Sequence, residues 1–372
     1  MFKIYVYRLF SLLLLLTTVS CSSKEDYLNK GDSFYNDQNY SKAIDYYEKA
    51  LKIEPEFSTY MKIGHSYGQI RFLVGWAEKY YKKAIEIEPN SSEAHFFLGY
   101  SQRNVHNEEP IQEYLKSIEL DPNCTNTYRY FGELYYASQN YDLAIKYWEK
   151  ALELYPDFKE IFCSLAMSYD EENDPEKAIE FYKKSIQVND DSLLVNYPLW
   201  LWSNDKLHCS IGDNYQKLNM KENALSHYRK SIEINPNNSS AFFEIGSIYT
   251  DDKNYDKGLE YFEKAINANE NFKEAYYNLG FICSKMQNNG KAIEYLQDAV
   301  RINPDYADAY VFLGNLYSIE GKENSSADCY YQAGLVYVKE NNRQKALEMV
   351  DNIENYTKNY ELLVKLKNVI YE

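Results

Sequence analysis

Five histidines, six cysteines and adjacent pairs of acids are the side chains that could do chemistry here. Histidine carries protons near neutral pH and ligates metals. His65, His95, His106, His208 and His227 are read as sitting in different repeat units or on different faces, which offers no catalytic or metal constellation. Glu108-Glu109, Asp190-Asp191 and Asp251-Asp252 fall at or near turns, where solvated charge is the reading rather than paired acid–base work. No cysteine pair has C-x-x-C spacing, so zinc-finger, iron–sulfur and thioredoxin chemistry lose their usual support. No G-x-S-x-G, H-E-x-x-H or phosphate-loop motif stands in a strand–helix setting, and no strands are expected to hold one. The sequence therefore predicts no catalytic residue, no metal and no cofactor.

The elements that would have to position such residues come next. The chain has 372 residues with 14 glycines and 9 prolines, too few for a turn-rich barrel or sandwich. Fifty-six acids against 40 bases give a net charge of −16, which repels phosphate backbones and argues against a nucleic-acid partner. Residues 1–20 carry Lys3, Arg8 and no acid, then an apolar run from Leu9 to Leu16. That order of basic, apolar and small residues reads as a signal peptide, and the run is too short to span a bilayer. Thr18-Val19-Ser20-Cys21 resembles the lipobox of bacterial lipoproteins, although leucine is usual where Thr18 stands. The resemblance implies an acylated Cys21, a membrane anchor rather than a span, and a short tether at 21–23. An uncut signal anchor or an ordinary signal peptide remains open.

A period runs through the rest. Small residues recur at Gly31, Gly64, Gly99, Gly132, Ala166, Gly212, Gly246, Gly280 and Gly314, at intervals of 33, 35, 33, 34, 46, 34, 34 and 34. An aromatic usually precedes each by four (Tyr27, Tyr60, Tyr128, Tyr276) and another follows by three (Phe34, Tyr67, Tyr135, Tyr317). Alanine, a bulky ring and a second small residue follow, as in Ala43, Tyr47 and Ala50, and many units close on proline. In these residues the chain resembles the tetratricopeptide repeat (TPR) family, whose units read W-x2-L-G-x2-Y, A-x3-F and P. The resemblance implies an all-α, right-handed superhelical solenoid of about nine helix pairs. Units 1–5 occupy 24–192, an aromatic insertion 193–204, units 6–9 205–340 and capping helices 341–372. The spacing has its own reason: aromatic, glycine and aromatic at i, i+4 and i+7 line one helix face, and glycine lets a second helix come close. Unit 3 is the poorest, with Pro110-Ile111 in place of alanine and Gln102 in place of a ring. Unit 9 fits two registers, around Ala327-Tyr331-Gly334 or Tyr330-Gly334-Tyr337.

Most of the 40 tyrosines thus have a structural address. The five cysteines after Cys21 are expected to be free thiols, Cys283 as a small core residue. In the TPR family the first helices line a groove. The resemblance points to offsets −3, +1 and +4 from each small residue, which yields two candidate apolar clusters. One is Met61, Phe96, Tyr100 and Tyr136; the other is Phe243, Tyr277, Phe281 and Val311. Arg129, Glu133, Asp170, Asp213 and Lys217 form a mixed-charge waist between them. Exposed rings suggest a protein or peptide ligand, basic or neutral given the charge; packing between neighbouring units is the alternative. Trp200 and Trp202 make the insertion either a wedge between units 5 and 6 or a contact platform for a partner or lipid surface. The resulting expectation is a non-enzymatic scaffold anchored at a bacterial envelope membrane, periplasmic or surface-exposed. A regulatory subunit of an envelope enzyme and an intracellular interaction module are the alternatives.

Overall fold

The computed structural model describes residues 23–70, 73–102, 109–156, 159–188 and 203–371. All regular structure among them is helical. The chain divides into two compact bodies, Met1–Glu172 and Asn173–Glu372. The division falls in the middle of the fifth repeat, not at the insertion.

The first body holds α1 (Lys24–Asn36), α2 (Tyr40–Ile53), α3 (Phe57–Gln69), α4 (Val74–Ile87), α5 (Ser92–Gln102), α6 (Glu109–Leu120), α7 (Thr125–Ala137), α8 (Tyr141–Leu154) and α9 (Lys159–Glu171). The second holds α10 (Pro175–Gln187), α11 (Asn204–Lys217), α12 (Lys221–Ile234), α13 (Ser239–Asp251), α14 (Tyr255–Ala268) and α15 (Lys273–Lys285). It continues with α16 (Asn289–Ile302), α17 (Ala307–Ile319), α18 (Glu323–Lys339), α19 (Arg343–Tyr356) and α20 (Tyr360–Tyr371). Ser23, read from sequence as part of a tether, is the N-cap of α1. Its hydroxyl accepts from Asp26 N–H at 3.1 Å, and Asp26 Oδ2 accepts from Ser23 N–H at 2.9 Å.

Seven of the hairpins turn in the same way among the described residues. Seven residues after the repeat's small residue the chain enters the left-handed region, at Gln38, Gln139, Asn173, Asn219, Lys253 and Gln287, with Gly321 in the ninth unit. In the first unit Gln38 N–H bonds to Tyr35 O and Asn39 N–H reaches back to Phe34 O at 2.8 Å, a Schellman closure. Asn39 then caps the next helix, its side chain accepting from Lys42 N–H. Asn140, Asn254, Asn288 and Asn342 repeat that cap.

Inside most pairs the glycine sits under a ring, Gly280 under Leu296 being an exception. A Cβ on Gly31 would lie 2.3 Å from the Tyr47 ring, and one on Gly132 2.4 Å from the Trp148 indole. Tyr47, Trp148, Tyr228 and Phe262 are buried in consequence, each contributing roughly 1.5–3 kcal/mol of apolar burial. The weak third unit is looser: Tyr114 stays 3.0 Å from the Gly99 position, and Pro110 lies in the first turn of α6, where a missing N–H matters least.

The two registers of unit 9 are both used. Tyr330, in the first half of the 17-residue α18, covers Gly314. Gly334, in its second half, is covered by Leu366 of α20. Asn341 is left-handed seven residues after Gly334, and Ala346 and Val350 are buried where a repeat's second helix needs them. The end of α18 with α19 therefore repeats the unit pattern once more. Leu363 and Leu366 of α20 close this core, while Val369 of the same helix is exposed.

Candidate functional site

Along the first helices, the residue one after a small residue meets the residue two before the next one. Asp32 carboxylate and Lys62 Nζ are 2.7 Å apart. His65 and Phe97 meet edge-on with centroids 4.3 Å apart, and Tyr100 meets Tyr130 at 4.7 Å. Phe281 faces Phe312 at 6.5 Å. Offsets +1 and −2 thus share a row on the first-helix face.

This geometry corrects the first predicted cluster. Met61 and Phe96, at offset −3, are only 4% and 6% exposed. Met61 packs with Ala77, Tyr81 and Leu98, and Phe96 with Tyr114 and Phe131. In these two units offset −3 leans over the second helix rather than out of the row, so Met61 and Phe96 are core. Tyr100 stays half-buried against Phe96 and Tyr130. Tyr136 packs on Tyr141 and Trp148 of its own hairpin, at 5.4 and 5.8 Å. The four do not form one surface.

The second cluster is partly assembled. Tyr277 lies 5.9 Å from Phe312 and 5.5 Å from Tyr306, so Tyr277, Phe281 and Phe312 converge, all half-buried. Phe243 turns instead to Phe262 and Phe272, at 5.3 and 5.0 Å. Val311 packs on the core around Ala307 and Tyr330. Lys285 lies over Phe281 and Lys273 over Tyr306, at 5.1 and 5.3 Å. Phe312, Tyr306, Phe272 and Tyr130 were not foreseen. Offset −2 for Phe312 and Tyr130, and offset −8 for Tyr306 and Phe272, would have found them.

The charged waist separates between the bodies. In the first, Arg129 is buried, lies 4.2 Å over Tyr130 and has Nε 3.7 Å from Glu133. In the second, Tyr228 donates to Asp213 at 2.6 Å, while Gln216 donates to Tyr228 at 2.6 Å and to Glu244 at 3.0 Å. Burial, with the Asp213 charge nearby, raises the Glu244 carboxyl above its usual range.

The histidines need one correction. His208 and His227, assigned from sequence to different units or faces, meet with their Nδ1 atoms 3.0 Å apart, because offset −4 on a first helix faces the second helix of the same pair. Burial lowers both, His227 to about 4 with the His208 charge as second cause. His95 sits between Glu113, at 2.6 Å, and the Pro89 carbonyl. His106 lies outside the described residues.

The five described cysteines form no disulfide with one another, as expected. Burial pushes Cys209 up to about 11 and Cys329 up to about 12, the thiol form rather than a nucleophilic thiolate. Cys21, Trp200 and Trp202 lie outside the described residues. The helices on either side of the insertion, α10 and α11, touch directly, Lys183 Nζ donating to Tyr215 Oη at 2.7 Å. Among the described residues no helix is long and apolar enough to cross a membrane.

TPR family models match residues 25–57, 123–191, 205–238, 239–272 and 274–306, together more than half of the chain. No curated protein matches it. Among solved structures, the C-terminal part of a TPR repeat-containing protein from Cytophaga hutchinsonii aligns with TM-score 0.51 at 14% identity, covering 65% of this chain and 93% of that one. YrrB, described as a TPR protein with an unusual peptide-binding site, aligns with TM-score 0.41 at 23% identity over 53% and 95%. Pseudomonas aeruginosa PilF aligns with TM-score 0.44 at 19% identity over 57% and 92%. These likenesses concern the fold alone. With the repeat spacing, the glycine–ring contacts and the family matches in agreement, the chain belongs to the tetratricopeptide repeat family of protein-interaction scaffolds.

Proposed function

We propose that this protein is a non-catalytic scaffold that binds a basic or neutral segment of a partner protein along the first-helix row of the second body. The supporting observation is the cluster of Tyr277, Phe281 and Phe312, rings from successive repeats that converge without being fully covered. A few half-covered rings in a pocket usually dominate the energy of such an interface. Asp213 and Glu244 place carboxylates on the same face two repeats earlier, which suits a cationic residue in the partner. Cys21 would carry the lipid that holds the scaffold at a bacterial envelope membrane, a reading supported by the order of residues 1–21.

Two experiments test the two halves separately. Phe281→Ala should weaken partner capture from the native host by about 1–3 kcal/mol with the helical circular dichroism unchanged. Equal recovery of the same partners by wild type and variant would remove the row as the binding site. Palmitate labelling should mark wild type and spare Cys21→Ala. An unlabelled wild type would remove the membrane assignment and leave the interaction scaffold standing.

A further inference from the structure

In four repeats the residue four before the small residue and the one fifteen after it are aromatic neighbours. Tyr27/Tyr46, Tyr128/Tyr147, Phe242/Tyr261 and Tyr276/Tyr295 all have ring centroids 6.4 Å apart. The sixth repeat places His208 and His227 there, and draws them in to 5.1 Å with Nδ1 facing Nδ1 at 3.0 Å. Ring packing alone does not require that approach, since the aromatic pairs do without it.

We propose that His208 and His227 form a binding site for a divalent ion that favours imidazole, of the zinc, nickel or copper type, held by the two Nδ1 atoms. Metal–nitrogen bonds of this class are about 2.0–2.1 Å long, so two ligands stand about 2.9 Å apart at a right angle and about 3.3 Å apart at the tetrahedral angle. The observed 3.0 Å lies inside that range. Coordination needs the proton of each ring on Nε2 and both Nδ1 lone pairs turned inward, a change of tautomer and not of backbone.

The scaffold is rigid enough to hold the pair. His208 lies on α11 and His227 on α12, joined by the left-handed turn at Asn219 and pressed together where Tyr228 covers Gly212. Four further groups face the pair. Tyr215 lies 5.5 Å from His227, ring to ring, and Lys183 of α10 donates to its hydroxyl. Lys183 and Lys230 add positive charge, which Glu233 partly offsets at His208. The two lysines oppose the ion as they oppose the proton. The site is therefore a two-imidazole site completed by water, weaker than a closed three-ligand site. Copper should bind more tightly than nickel or zinc, and magnesium, an oxygen-seeking ion, should not compete.

The test uses the full chain and the metal ions alone. Isothermal titration with Cu2+ and Zn2+, repeated in excess Mg2+, should show a saturable site in wild type. His208→Phe and His227→Tyr place the rings that other repeats carry at these positions, so both should keep the helical circular dichroism. Each should weaken binding more than tenfold, while His65→Phe leaves it unchanged. No saturable binding to wild type, or undiminished binding to both pair variants, would overturn the site and leave the pair as a ring-to-ring hydrogen bond.

Discussion

A methyl group on Gly132 would stand inside the Trp148 indole, whereas one on Gly290 would meet only Asn288 Oδ1, 4.0 Å away. The same substitution should therefore act in opposite directions at the two positions. Gly132→Ala forces the helices of the fourth repeat apart and should destabilise it by roughly 1–3 kcal/mol. Gly290→Ala, in the open first turn of α16, should be neutral or stabilising by up to about 1 kcal/mol. Urea midpoints followed by circular dichroism check both, and a loss at both positions would mean that glycine serves the backbone and not the ring. His65 gives a second residue-scale prediction. Desolvation holds it down at about 4 against an ordinary 6.5, and it lies edge-on to Phe97. The unfolded chain binds a proton below pH 6.5 that the folded chain refuses until about pH 4. Stability from this group is thus full above the unfolded value and is lost as pH falls through the window, by an amount of order 3 kcal/mol. His65→Phe should flatten the loss of urea midpoint between pH 7 and pH 4, and an equally steep loss would show that other groups set the acid limit.

At the scale of the element, the repeating device is the turn. Lys253 takes φ 59° and Gly321 φ 72° at equivalent positions, so one repeat has the residue this conformation favours and the other does not. Lys253→Gly should stabilise its hairpin by about 0.5–1 kcal/mol, and Gly321→Ala should destabilise its own by about 1 kcal/mol. Hydrogen exchange of the amides in α13, α14, α17 and α18 would report each hairpin locally, and no change at either position would mean the turn conformation carries no strain. These turns also show what was legible in the sequence. The helix pairs could be read from the interval between small residues, because the glycine that admits a ring leaves a gap in the aromatic pattern. The left-handed residue could not, since Gln38, Gln139 and Lys253 are not turn formers by type and are held there by the bonds around them. The +1 positions of the candidate row, Tyr100 and Phe281, fell on it, but Met61 and Phe96 at offset −3 were read one residue out of phase with offset −2. One residue is about 100° of helix rotation, enough to put Met61 and Phe96 under the second helix and to hide Phe312 and Tyr130 from view. His208 and His227 escaped for a related reason: their contact crosses a hairpin, and only a register drawn across both helices brings them together.

At the scale of the whole molecule, charge and rings should act on different steps of partner capture. A field set by a net charge of −16 would draw in basic segments before any contact forms, whereas the Tyr277, Phe281 and Phe312 rings would act only once a segment is seated. Salt shortens the reach of the first effect to about 10 Å at 0.1 M and about 3 Å at 1 M. It leaves apolar burial intact. Surface plasmon resonance with a captured basic partner segment should therefore show an association rate that falls steeply with salt and a dissociation rate that barely moves. Phe281→Ala should show the reverse, with association as in wild type and dissociation faster by about tenfold or more, since contact losses among related complexes appear mostly in the dissociation rate. The two effects should add when the variant is measured in high salt, because they act at different stages. If Phe281→Ala instead slows association and salt speeds dissociation, the rings serve encounter and the charges serve the bound state. The binding row would then lie among the Asp213 and Glu244 carboxylates and not at the aromatic cluster.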